Sequence, residues 1–124
     1  MSEKEFEIVI ASKNQGKIAE FSRILKPVGI QIVSNRQIPD VEESGKTFEE
    51  NALLKAHAIS KFTNLPALAD DSGLSVDSLD GAPGIYSARW SGTHGDDAAN
   101  IARLLGDMKD IPIQDRGAKF VAVL

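Results

Sequence analysis

The chain has 124 residues, with 14 Lys and Arg against 18 Asp and Glu for a net charge of −4, and is 42% hydrophobic and 26% charged. These values fit one globular core rather than several domains or a disordered chain, and the acidic balance argues against polymeric nucleic acid as a partner. The lack of cysteine excludes a disulfide scaffold, a thiolate nucleophile and a Cys-ligated metal, and the absence of a long apolar run or a basic-then-apolar leader sets the expectation of a cytoplasmic protein without a membrane partner.

No repeat or low-complexity tract divides the chain. Phe6 to Ala11 is almost continuously apolar and β-branched, as in a strand covered on both faces. It stops at Ser12-Lys13-Asn14-Gln15-Gly16-Lys17, after which Ile18, Phe21, Ile24 and Leu25 recur at helical spacing until Pro27 and Gly29 close the helix. Gln31 to Ser34 reads as a second strand and Asn35 to Gly45 as an exposed loop. Thr47 and Glu50 stand three apart as in a capping box, and Phe48, Ala52, Ala56 and Ile59 mark one face of a helix running to about Phe62.

Ala67 to Ala69 is a short buried strand, Asp70 to Gly73 a turn, and Leu74 to Val76 a further short strand. A Gly- and Pro-rich stretch from Gly81 to Gly95 leads into a helix over about Asp96 to Leu105, and Lys119 to Leu124 has the composition of a core strand. The order β-α-β-α-β-β-α-β predicts one α/β domain over residues 1–124, a mixed β-sheet flanked by helices. A core strand followed by no polar cap leads us to expect a domain incomplete at its C-terminus, with the uncovered strand favouring self-association.

Two segments carry candidate chemistry. In Ser12 to Lys17, backbone N–H groups at a helix start can hold phosphate oxygens, with Gly16 allowing close approach and Lys17 supplying a point charge. It is not a Walker A loop, because Ala11 replaces the first Gly and Ile18 follows the Lys, and an ordinary strand–helix turn would also account for it. Asp70-Asp71-Ser72-Gly73 follows a buried strand, which suits carboxylates that hold Mg²⁺ or take a proton from water, and equally suits an Asx-type turn. Glu42 and Glu43 are a solvated acidic pair or a second source of metal carboxylate. His57 and His94 lack partners at metal-ligand spacing, and Gly81 to Trp90 is a folded loop with aromatic anchors, or else a surface for a partner subunit or a phosphate contact through Arg89.

Taken together, Ser12 to Lys17, Phe48 to Ala56, Ala69 to Leu74 and Gly81 to Trp90 closely resemble the inosine triphosphate pyrophosphatase family, four motifs in the same order over nearly the whole chain. The resemblance implies hydrolysis of the purine nucleoside triphosphates ITP, dITP and XTP to monophosphate and pyrophosphate, with Mg²⁺, by a homodimer. It places the phosphate-binding Ser/Thr-x-Asn-x-x-Lys motif on Ser12, Asn14 and Lys17, within a substrate loop that includes Lys13, Gln15 and Gly16. It implies Asp71 as catalytic proton acceptor and metal ligand, Ser72 as a substrate contact, and Glu42 as the second metal ligand with Glu43 as the register alternative. Lys55 and Asp70 fall in matching motifs without a defined role.

Family members continue into Phe-Gly-Tyr-Asp and Ser-His-Arg segments that surround the purine, and neither occurs here. The resemblance therefore implies a chain that holds triphosphate and metal but discriminates poorly between bases. Two other readings stand beside this one. One is a septum-inhibitor-type nucleotide pyrophosphatase, against which Asn14 and Lys17 count, since that type begins with Ser-x-Ser-x-x-Arg. The other is a non-catalytic phosphate-binding or dimerising module.

Overall fold

The computed structural model describes residues 6–33 and 37–124. Its elements are β1 (Phe6–Ile10), α1 (Gln15–Leu25), β2 (Ile30–Val33), α2 (Phe48–Thr63), β3 (Ala67–Leu68), β4 (Asp71–Val76), α3 (Asp97–Asp107) and β5 (Ala118–Val123). The predicted order of strands and helices is the observed one. Ser34 of the predicted second strand and Asn35 of the following loop lie outside the described residues. One local difference bears on the site: Asp71, Ser72 and Gly73, expected in a turn, belong to β4, where they pair with Val123, Ala122 and Val121. Glycine and serine disfavour strands by propensity alone, but tertiary packing at Gly73 overrides that preference.

The chain divides into two compact units, Met1–Gly45 and Glu49–Asp70 with Leu124, and Lys46–Phe48 with Asp71–Val123. In the first, the apolar run of β1 occupies the centre of a parallel sheet of order β2-β1-β3. Its central place explains its continuous apolarity, with Ile8, Val9 and Ile10 all buried. Val9, Ala11, Ala69 and Ile59 of α2 form the core, flanked by Ile38, Val41, Ala56 and Leu65. The chain leaves β1 through α1 to β2 on one side, then passes through α2 to β3 on the other. The carboxyl end of β1 is therefore the point where strand order reverses, the place where open parallel sheets form their ligand crevice.

In the second unit, β4 and β5 form an antiparallel pair from Asp71↔Val123 to Val76↔Ala118. A 3-10 helix over Gly84–Arg89 is fastened to β4 by Ser87, whose Oγ accepts from the Leu74 N–H at 2.9 Å and donates to the Gly84 carbonyl at 2.7 Å. It is joined to α3 by the buried Asn100, which accepts from the Ser91 N–H and donates to the Ala88 carbonyl. The aromatic anchors act here too: Trp90 Nε1 donates to Asp107 at 2.8 Å while the Arg103 guanidinium stacks over its ring. Phe120 of β5 is 70% exposed, so the expected core composition of this strand is not matched by burial among the described residues. No helix among the described residues is long and apolar enough to cross a membrane.

Candidate active site

The Ser12–Lys17 loop lies at the carboxyl end of β1, on the strand-order reversal. Asn14 is the N-cap of α1: its Oδ1 accepts from the Gly16 N–H at 2.9 Å and the Lys17 N–H at 3.2 Å, while the Ser12 Oγ accepts from the Asn14 N–H at 3.1 Å. These bonds satisfy two of the donors that a helix start leaves free. The loop is thus folded by its own side chains, and its Gly16 and Lys17 amides, which the phosphate reading assigns to an anion, are engaged by Asn14. A cleft of about 390 Å³ opens beside it, with Ser12, Lys13 and Gln15 on its polar side and Val9, Ile18 and Val33 on its apolar side.

Both lysines of the loop are held by carboxylates. Lys17 Nζ donates to both oxygens of Asp70 at 3.0 and 3.3 Å, with the Asp70 side chain only 11% exposed. Asp70 lies two residues beyond β3 and Lys17 in the first turn of α1, so this pair ties together the segments that leave the carboxyl ends of neighbouring parallel strands. Lys13 meets the exposed Asp40 at 2.7 Å. The hydrogen bond and charge of Lys13 hold the Asp40 carboxyl below its ordinary value. That pair is complete at neutral pH and is lost as pH falls through the lowered value, and because it faces water its contribution to stability is slight.

The acidic loop is fastened to α2. Glu43 pairs with Lys55 at 3.1 Å, both side chains largely removed from solvent, and the Gly45 N–H donates to the Asn51 Oδ1 at 2.8 Å. Glu42 is exposed. The two glutamates thus stand in different settings, Glu43 drawn inward by Lys55 and Glu42 facing water. In the second unit, Asp71 is buried at the start of β4, opposite Val123, and Ser72 is half-buried opposite Ala122.

Among the described residues no three His, Cys, Asp or Glu side chains gather into a cage for a metal, and both histidines are exposed. The carboxylates of Glu43 and Asp71 are, each taken by itself, ligands of a kind that suits Mg²⁺. That ion is commonly held by one or two carboxylates together with substrate phosphates, and carboxylates are the hard oxygen ligands it takes.

The structure adds three partnerships that the sequence reading of these residues did not contain. The Asn14 cap had a signal, since Asn directly before a helical run is a preferred N-cap. The pairing of Glu43 with Lys55 across twelve positions, and of Lys17 with Asp70 across 53, had none, because both depend on how separate elements fold back on each other.

Comparison with known proteins places the chain in a family. Residues 8–124 match the model of the Ham1 family. The dITP/XTP pyrophosphatase of Streptomyces avermitilis is 55% identical over 118 residues, covering 91% of this chain and 59% of that protein. The crystal structure of the nucleoside-triphosphatase, or dITP/XTP pyrophosphatase, of Mycobacterium abscessus is 51% identical with a TM-score of 0.81, over 94% of this chain and 63% of that one. A HAM1 protein from Coxiella burnetii, 42% identical, gives a TM-score of 0.87 over 95% of this chain and 61% of its own. The chain spans about three fifths of the length of these relatives. With its fold, its loop and nearly its whole length accounted for by that match, the chain belongs to the Ham1 family.

Proposed function

We propose that this chain carries the phosphate- and metal-binding part of a pyrophosphohydrolase that converts deaminated purine nucleoside triphosphates (ITP, dITP, XTP) to the monophosphate and pyrophosphate, clearing them from the nucleotide pool. One observation carries the reading: the Ser12–Lys17 loop and the Lys17–Asp70 pair stand together where the order of parallel strands reverses. The names of the similar proteins support the substrate class. A homodimer working in the cytoplasm belongs to the same proposal, as does Mg²⁺.

In this reading Lys17 and Lys13 bind the phosphate chain as point charges, and Ser12 contributes a hydroxyl at the same loop. Asp71 orients water for in-line attack on the α-phosphorus and accepts its proton, and pyrophosphate leaves. Ser72 contacts the substrate. Glu43 would offer a carboxylate to Mg²⁺, as the family resemblance implies for Asp71, and the ion when bound supplies positive charge against the developing negative charge on phosphate oxygens. Glu43 is preferred to Glu42 because its carboxylate is drawn inward by Lys55.

The test is product analysis with ITP. IMP and pyrophosphate are expected, with orthophosphate appearing only after inorganic pyrophosphatase is added. Direct release of orthophosphate would overturn the reaction class.

Lys17→Ala is expected to raise the Kd for a non-hydrolysable ITP analogue by about tenfold, the worth of one charge-assisted hydrogen bond. The loss for IMP should be smaller, because Lys17 acts on phosphate charge. Calorimetric titration of both ligands checks this, and an equal loss for both would count against a role towards the outer phosphates.

A further inference from the structure

We propose that Asn51 is a positioning residue that sets the acidic loop for metal binding, an inference that rests on the reading of Glu43 as a metal carboxylate. Asn51 is fully buried in the first turn of α2, and its Oδ1 accepts the Gly45 N–H. One helical turn later Lys55 holds Glu43. Residues four apart lie on the same helix face, so one ridge of α2 grips the loop twice, once through its backbone and once through the carboxylate itself. The same ridge continues into the core at Ile59, which is 1% exposed.

Two features indicate that this buried amide serves the loop. Among the described residues its Nδ2 has no hydrogen-bond partner. A buried donor without a partner carries a desolvation cost that an apolar side chain of similar size would avoid, so packing alone does not account for an Asn here. What Asn supplies that Leu cannot is the acceptor for Gly45. The fit at Gly45 is also close: a Cβ there would lie 2.7 Å from Asn51 Oδ1 and 2.7 Å from Glu50 Cβ. The loop backbone therefore rests directly on the helix start, two residues from Glu43, and its position limits where that carboxylate can stand.

The experiment compares Asn51→Leu, which removes the acceptor, with Asn51→Asp, which keeps it, and with Glu43→Gln. The first readout is hydrogen exchange of the Gly45 amide by NMR in the ligand-free protein, expected to quicken by about tenfold in Asn51→Leu and to stay near the parent rate in Asn51→Asp. The second is Mn²⁺ affinity by electron paramagnetic resonance with the α,β-methylene analogue of ITP present. It is expected to fall by about tenfold in Asn51→Leu, the range for residues that orient a ligand, and to be restored in Asn51→Asp. Should Asn51→Leu fail to fold, Gly45→Ala displaces the same contact from the other side and the same two readouts apply. Weakened Mn²⁺ binding in Glu43→Gln but not in the loop variants overturns the positioning role alone. Unchanged binding in Glu43→Gln overturns the metal reading of Glu43, and this proposal with it.

Discussion

Asp71→Asn is expected to lower turnover of ITP by at least about a hundredfold, the lower end of what a positioned general base contributes. The change is isosteric: the amide keeps the shape of the carboxylate but loses its charge and its capacity to accept a proton. The backbone of Asp71 is already committed to the ladder opposite Val123, and that pairing does not depend on the side chain. A stability change well below the activity change is therefore expected. Asp70→Asn should behave differently, because Asp70 is the partner of Lys17 and its loss frees the lysine without touching the attacking water. Steady-state kinetics on the two variants, with denaturant midpoints alongside, separate these roles. Turnover by Asp71→Asn within about threefold of the parent would remove it from the chemical step.

What the sequence disclosed, and what it withheld, follows the range of the interactions. The apolar run of β1, the Pro27 and Gly29 stop, and the Thr47 start of α2 are local signals, and each element lies within a residue or two of its predicted place. Gly29 sits at φ +84°, a conformation that favours glycine, so its helix-ending role was legible from residue type alone. The loop Ser12–Lys17 was legible as a candidate site because strand, loop and helix start are contiguous. The different settings of Glu42 and Glu43 were beyond local reasoning: adjacent glutamates in a loop have no period, and it is Lys55 on α2 that draws Glu43 inward. Asp71 to Gly73 was expected as a turn because Asp, Ser and Gly are turn formers. They extend as a strand because β5 supplies backbone partners from some fifty residues away.

Gly73 shows why that strand tolerates no other residue at this place, and its substitution carries the largest stability effect we expect. A Cβ built at Gly73 would run into the Gly84 carbonyl oxygen, a backbone atom, and come within 2.7 Å of Ser87 Oγ. Ser87 cannot move aside without giving up its bonds to Leu74 N–H and to the Gly84 carbonyl. Gly73→Ala should therefore cost about 3 kcal/mol, from overpacking together with a broken hydrogen bond. Gly106 provides the control: it lies within α3 and an added Cβ meets nothing within 4 Å, so Gly106→Ala should be neutral or stabilise by up to about 1 kcal/mol through helix propensity. Since Gly73 is two residues beyond Asp71 on β4, its substitution should also depress turnover in the fraction that remains folded. Urea unfolding of the two variants provides the measurement. A Gly73→Ala protein as stable as the parent would mean that the Gly84–Arg89 segment does not rest on β4 as closely as described, and the positioning of Asp71 by this packing would have to be given up.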